Sequence, residues 1–536
     1  MRRRNVLYAA SPVLASIAGA LPVASGNVGE YTAGQLLAVL AVWSVVGLVV
    51  QLLVGAILAR RTAEHRVVVA TVAVAWLASA PAVAQSLPLG APRFGVLILA
   101  VPCALLAIAV LRRTVVPEWL VRAVAIFTLA MVASGAIAGV SASRRIEALV
   151  ARAPTARALL APLPRAAPGS PRPDVYVIVL DNFANARIQA ELYGRSNRPF
   201  EDSLRALGFV IPSQTRSSYT WTPHSIASLL DLGHVRGLEA DLGSSSVDWA
   251  VLYRLIQRNR TARWMHDAGY TVYFQPSVGF AGTAKWVTPH VRYGEGGRDA
   301  FEVIFARNRL LRAAFHNTVS GRVAEHLGLS MQFREARLHA LRTVADVANR
   351  PGPKFVFAHS LVTHEPFDVA ADCGAPGPGD SPDRMGAERY LAAIACTERL
   401  VLAAVTHIVQ SSPTRPVIVV QGDHGTLSLH PPFFTPAEDV TADQAFERTG
   451  AFGAYLIPGV DSGSLPQTVT PPNVLRLVFS RALGVPLAPV PDSSYYVALG
   501  KPFHFVNVTE RVEAHVAAGG GVGPLRAKPA AGEQGR

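Results

Sequence analysis

Residues 416–425 read Pro-Val-Ile-Val-Val-Gln-Gly-Asp-His-Gly. A β-branched run that stops at a glycine-flanked turn has the pattern of a buried strand, with Asp423 and His424 just past its carboxyl end. An earlier stretch, Asp174-Val-Tyr-Val-Ile-Val-Leu, runs in the same way into Asp181. Open α/β sheets assemble their sites at the carboxyl ends of their strands, so Asp181, Asp423 and His424 are expected to converge. Two carboxylates and an imidazole suit a divalent cation such as Zn²⁺ or Mn²⁺. A hydroxyl nucleophile beside that cation makes a phosphoryl- or sulfuryl-transfer centre.

Outward from these two strands, apolar runs at 174–181, 270–275, 354–358, 416–421 and 451–457 alternate with helical patterns at 197–207, 222–232, 247–268, 331–349, 384–410 and 471–483. That alternation predicts a mostly parallel sheet with helices on both faces, spanning 173–513. Thr222-Pro223 opens one helical run, which predicts Thr222 at the N-cap and Pro223 at the first helical position. A helix start offers free N–H groups to a phosphate, and a threonine hydroxyl there can attack phosphorus. Taken alone, Thr222 is only a cap, and Ser218, Thr220 and Ser225 are rival hydroxyls. The strand at 354–358 runs into His359 and then His364-Glu-Pro-Phe, histidines placed to bind a metal or contact phosphate oxygens. Asn182 and His430 are candidates for substrate contact.

The first 143 residues hold the apolar excess of a chain of 536 residues. Five runs, at about 6–25, 34–59, 67–87, 94–111 and 119–143, each approach the roughly 20 residues that cross a bilayer. Arg2, Arg3 and Arg4, then Arg60, Arg61 and Arg66, then Arg112, Arg113 and Arg122 mark cytoplasmic segments. Five spans from an inside N-terminus leave the remainder outside. Arg144 and Arg145 run against that rule and are assigned to the headgroup layer. The expected organisation is a transmembrane domain over 1–145, a Pro/Ala-rich linker over 146–172, the α/β domain, and a disordered tail over 514–536.

A formal net charge of +13 comes without a Lys/Arg block interleaved with aromatics, which excludes nucleic acid as a favoured partner and leaves a basic face near anionic lipid. Three cysteines exclude a disulfide scaffold and a cysteine-rich zinc site. Cys373 and Cys396 can pair if the globular part is extracytoplasmic; two unpaired small residues is the reading kept.

Strand-Asp181, Thr222 at a helix start, His359 and His364-Glu-Pro-Phe, then Gln-Gly-Asp423-His424-Gly form an ordered set. That set resembles the sulfatase-like branch of the alkaline phosphatase superfamily, and more closely its membrane-anchored enzymes of the lipoteichoic acid synthase and phosphoethanolamine transferase type. Glu191-Leu-Tyr-Gly, Glu447-Arg-Thr-Gly, Thr470-Pro-Pro-Asn and Pro491-Asp-Ser-Ser-Tyr add to it, and the likeness runs from about Pro173 to Tyr495. The resemblance implies Asp181, Thr222, Asp423 and His424 around one metal, with Thr222 as nucleophile and His364 and His359 near the transferred group or the leaving oxygen. It implies a transferase in the bacterial cytoplasmic membrane with its catalytic domain outside. That enzyme moves a phosphoryl-linked headgroup from a membrane phospholipid, through phospho-threonine, to an envelope glycan or lipid. Thr363, Glu365 and Trp221 depart from the common pattern. Cys/Ser-x-Pro-x-Arg, the formylglycine signature of true sulfatases, is absent at Thr222-Pro223-His224. Hydrolysis with water as acceptor, and an inert envelope-binding module, stay open.

Overall fold

The computed structural model describes residues 2–31, 33–86, 92–275, 287–288, 308–326, 334–377, 386–429 and 435–521. It divides into two compact units, 1–148 with 297–331, and 149–296 with 332–536.

The first unit is helical: α1 (Arg2–Gly26), α2 (Ala33–Ile57), α3 (Ala63–Ser86), α4 (Pro92–Leu111) and α5 (Glu118–Arg152). Among the described residues, Tyr8–Gly26, Ala33–Ile57 and Glu118–Arg152 are each long and apolar enough to cross a membrane. Small residues let these helices approach closely: a Cβ on Gly19 would sit 2.7 Å from that of Ala78, and one on Gly47 2.8 Å from the Val13 backbone. The outward faces stay apolar. Leu52, Ile57, Leu105, Phe127 and Ile137 are all exposed, as suits contact with lipid chains rather than water. At about 1.5 Å per residue, the 35 residues of α5 extend roughly 52 Å, well past a hydrocarbon core of about 30 Å. Arg144 and Arg145, expected after this helix, lie inside it.

Two short helices, 309–316 and 319–326, join this unit although the expected α/β domain contained them. Asn308 caps the first through Leu311 N and donates to Gln35 O at 2.9 Å. Leu310, Leu311 and Ala314 then close an apolar cluster with Ala20, Ala24, Val39 and Trp43.

The second unit is built on β1 (Val175–Leu180), β2 (Thr271–Gln275), β3 (Val287–Thr288), β4 (Lys354–Ser360), β5 (Val417–Gly422) and β6 (Gly453–Leu456), in the order β3-β2-β4-β1-β5-β6. The first five are parallel and β6 is antiparallel to β5. Every residue of β1, β4 and β5 is buried, which is why these strands read as continuous apolar runs rather than alternating ones. On one face Tyr176, Ile178, Leu180, Val356, Ala358, Ile418 and Val420 pack against helices 334–343 and 387–411. His359 has the opposite parity and shares its face with Phe355 and Phe357. The order places β1 at a switch point, with β4 and the strands beyond it on one side and β5 and β6 on the other.

Helix 387–411 is also long and apolar enough to span a membrane. Its apolar stripe is instead the sheet-facing one, holding Tyr390, Ile394, Val401, Val405 and Ile408, and its Glu398 pairs with Arg195. Cys373 and Cys396 form a disulfide, against the unpaired reading, and fasten this helix to the loop before it. The single helix expected over 247–268 is two, Ala250–Arg258 and Arg260–Asp267. Asn259 turns the backbone extended between them, and its side chain caps the second through Ala262 N at 2.7 Å. Helix 442–449, absent from the sequence reading, starts on a capping box made by Thr441 and Gln444. Helix 509–517 carries order into the stretch expected to be a disordered tail; residues 522–536 lie outside the described residues.

Candidate active site

The register of the sheet brings the two aspartates together. Leu180 pairs with Gly422 across β1 and β5, so Asp181 and Asp423 stand side by side one step beyond the sheet edge. Asp423 stays attached to β1 through its N–H to Leu180 O, and its Oδ1 accepts from Asn182 N at 3.1 Å and His424 N at 2.9 Å. Gly422 is required here, since a Cβ would lie 2.6 Å from Phe183 O. Asp181, Asp423 and His424 place ligand atoms within 4.8 Å of one another, the one such cluster among the described residues, and all three are buried.

Thr222 reaches this cluster from the helix Thr222–Leu230. Its Oγ1 lies 3.2 Å from Asp181 Oδ2 and 3.1 Å from His424 Nε2. The expected N-cap position is corrected by one residue. Trp221 occupies it with extended backbone and no side-chain cap bond, Thr222 is the first helical residue and Pro223 the second. The Thr222 hydroxyl therefore faces the acids instead of capping its own helix. The rival hydroxyls are engaged or buried elsewhere: Thr220 exchanges hydrogen bonds with Val497, Ser225 donates to Tyr219 O, and Ser218 Oγ is buried without a partner. Tyr495 N bonds to Ser218 O and Trp221 Nε1 to Val497 O at 2.7 Å, so the stretch 495–497 clips the segment that carries Thr222 in place. The Pro491-Asp-Ser-Ser-Tyr motif has a scaffold role at Asp492, whose Oδ1 accepts from Thr470 and Asn473.

His359, at the end of β4, sets its Nε2 3.4 Å from Asp181 Oδ2. His364 is exposed on the following loop, which Arg337 clamps through the carbonyls of Leu361, His364 and Glu365. Asn182, expected to contact substrate, is buried with φ +59°, and its amide is engaged within the protein. It donates to Thr363 O and Glu365 and accepts from Arg448. His430 lies outside the described residues. The loop leading to it is pinned by buried Glu447, which accepts from Thr426 Oγ1, Ser428 N and Leu429 N.

Charge at the site is strongly biased. Burial pushes the Asp423 carboxyl up to about 7, reinforced by the like charge of Asp181. Burial pushes Asp181 up as well, but His364, His359 and His424 together outweigh it and hold Asp181 below the ordinary carboxylate range. Burial, with Arg448 alongside, holds His424 well below the usual histidine value. Its Nδ1 lies 3.1 Å from Gly425 O, so the proton is assigned to Nδ1 and the Nε2 lone pair faces Thr222. Asp181 Oδ1 and Asp423 Oδ2 are buried with no hydrogen-bond partner. Two orphaned carboxylate oxygens beside a neutral imidazole lone pair are the donor set a divalent cation satisfies.

Arg448, to which sequence reasoning assigned no role, adjoins the cluster. It is 2% exposed. Nη1 donates to Gly425 O at 2.7 Å, Nη2 approaches His424 Nε2 at 3.4 Å, and the guanidinium lies 5.1 Å above the Trp221 ring. The Glu447-Arg448-Thr449-Gly450 stretch was visible as a motif, but no local spacing marks its arginine as part of the site.

No family model and no curated protein matches the chain. Among solved structures it is similar to the C-terminal periplasmic domain of EptC from Escherichia coli, at 14% identity over 64% of this chain and 96% of that one, with a TM-score of 0.40. The same EptC domain in complex with Zn matches at 13% identity and a TM-score of 0.40, over 64% and 96% of the two chains. BT1596, a 2-O GAG sulfatase, matches at 15% identity over 62% of this chain and 74% of its own, with a TM-score of 0.37.

Proposed function

We propose that the protein is a membrane-anchored, metal-dependent transferase that moves a phosphoryl-linked headgroup from a membrane phospholipid to an envelope glycan or lipid. One observation carries the reading: a threonine hydroxyl stands within hydrogen-bond reach of two members of a buried Asp-Asp-His cluster whose outer oxygens lack partners. Asp181, Asp423, His424 and Thr222 would hold the cation, which when bound favours the Thr222 alkoxide and neutralises charge on the phosphoryl oxygens. Thr222 Oγ1 loses its proton to a neighbouring base and bonds to phosphorus. The bond from phosphorus to the lipid oxygen breaks, and that oxygen takes a proton from His364 at the mouth of the site. His359 orients Asp181. The headgroup's own ester bond stays intact on the phospho-threonine until an acceptor hydroxyl, giving its proton to His364, displaces Thr222, whose oxygen recovers its proton from the neighbouring base. All five N-terminal helices cross the membrane in this reading, and the disulfide agrees with an extracytoplasmic catalytic unit. Threonine at position 222 cannot become formylglycine, which disfavours sulfate-ester hydrolysis.

Full-length protein in detergent, given phospholipid labelled in its headgroup phosphate, tests the reading. Label on a second alcohol marks a transferase, and free headgroup phosphate marks a hydrolase. Thr222→Ala is expected to lose at least about 10³-fold in rate; full activity removes Thr222 from the role of nucleophile. A chain that takes up no divalent ion returns the inert envelope-binding module.

A further inference from the structure

Arg448 adjoins the site, and the mechanism above gives it no role. Its guanidinium is almost wholly enclosed, yet its Nε has no hydrogen-bond partner and it makes no ion pair with a carboxylate among the described residues. A buried cation without a close counter-charge is costly unless something supplies one. Tyr496, Asp423, Glu365 and Asp181 act on it from farther off, and the two aspartates among them would bind the metal. Once those charges serve a cation, the charge of Arg448 is left for another anion.

Geometry says where that anion sits. Arg448 Nη2 and Thr222 Oγ1 approach the same atom, His424 Nε2, at 3.4 and 3.1 Å. The guanidinium and the Thr222 hydroxyl therefore share a single ring nitrogen as a neighbour. The guanidinium lies over the Trp221 ring, itself anchored by Nε1 to Val497 O. Trp221 immediately precedes Thr222, so one short segment sets both the attacking oxygen and the orientation of the arginine.

We infer that Arg448 binds a non-bridging, negatively charged oxygen of the group that Thr222 attacks, and so restricts the donor to phosphate esters that keep at least one such charge. The inference rests on the phosphoryl-transfer reading and adds to it the residue that selects the substrate. A planar fork of donors suits two oxygens of one phosphate, which an ammonium cannot match. Neutral esters would meet an unpaired buried cation and be rejected.

The test uses full-length protein in detergent, loaded with Zn²⁺ or Mn²⁺, with inorganic phosphate as the probe and metal content measured in parallel. Arg448→Gln is expected to weaken phosphate binding about 10- to 100-fold, the range for a charge-assisted hydrogen bond, with metal stoichiometry unchanged. Arg448→Lys should recover part of the loss, and added ethylguanidinium should restore binding to the Gln variant. Phosphate binding that is the same in wild type and both variants overturns the role of Arg448 while leaving the metal site standing. Parallel loss of metal and phosphate in both variants overturns it too, in favour of a purely structural arginine. Wild-type protein that binds neither metal nor phosphate sinks the underlying phosphoryl-transfer reading itself.

Discussion

Strand β1 carries an aspartate at each end, and the two ends differ in kind. Asp174, before its first residue, faces buried Lys354: Nζ lies 2.7 Å from Oδ2, and Lys354 N donates to Oδ1 at 3.0 Å. Asp181, after its last residue, faces a second acid and makes no ion pair with a lysine or arginine among the described residues. The same residue type on the same buried strand is neutralised at one edge of the sheet and left frustrated at the other. A folded chain keeps such frustration where something else relieves it, which is why the proposed site is set at the edge with the second acid.

The difference predicts opposite signs on mutation. Asp423→Asn should abolish stoichiometric divalent-ion binding and cut activity by at least about 10³-fold. The melting temperature of the metal-free protein should nonetheless hold or rise, because the substitution removes a buried charge crowded by Asp181. Elemental analysis and thermal unfolding in chelator check both parts. A metal-free variant that melts well below wild type would break the contrast.

Lys354→Ala, at the other edge, should do the reverse. It strands the Asp174 carboxylate in the interior and is expected to cost about 3–5 kcal/mol of stability, read from denaturant unfolding. Metal content and rate per folded molecule should stay at wild-type values. A selective loss of metal would mean the two edges are coupled, and the strand could not be divided as described.

That division was partly legible in the sequence. Asp181 and Asp423 could be read because a parallel strand buried on both faces is a run of β-branched residues, and the first polar residue after it marks the sheet edge. Thr222 was legible through Thr-Pro, although its place in the helix was off by one. Arg448 was not: its partners are Gly425 O, Asn182 and the Trp221 ring, all brought in by tertiary structure from outside its own helix. The Cys373–Cys396 pair was undecidable, since nothing local tells whether a loop returns to a helix 23 residues on. The split at Asn259 and the start at Thr441 were written in capping residues that the apolar period overrode. Helices 309–316 and 319–326 look like any short amphipathic pieces, and only their packing reveals which unit they complete.

A second acid–histidine cluster sharpens the comparison with the smallest expected effect. His504 has the same composition around it as the site, one imidazole and two carboxylates, with Nδ1 2.9 Å from Glu239 and Nε2 2.5 Å from Glu438. Both ring nitrogens are occupied and the acids sit on opposite sides of the ring, so no pair of oxygens converges on a shared point. Its bonds to Glu239 and Glu438 hold the His504 pKa above the ordinary histidine value. The folded state then binds this proton more tightly than the unfolded chain. The stability it contributes is complete below about pH 6.5 and fades as pH rises through the elevated folded value. His504→Gln should therefore be less stable than wild type at pH 6, with the gap in melting temperature closing toward pH 9 and metal content unaffected throughout. Because the cluster is partly open to solvent, the gap should be small and should shrink further in high salt. A gap that widens with rising pH would show that the two glutamates do not hold the imidazolium, and composition alone would then distinguish this cluster from Asp181, Asp423 and His424 no better than it did in the sequence.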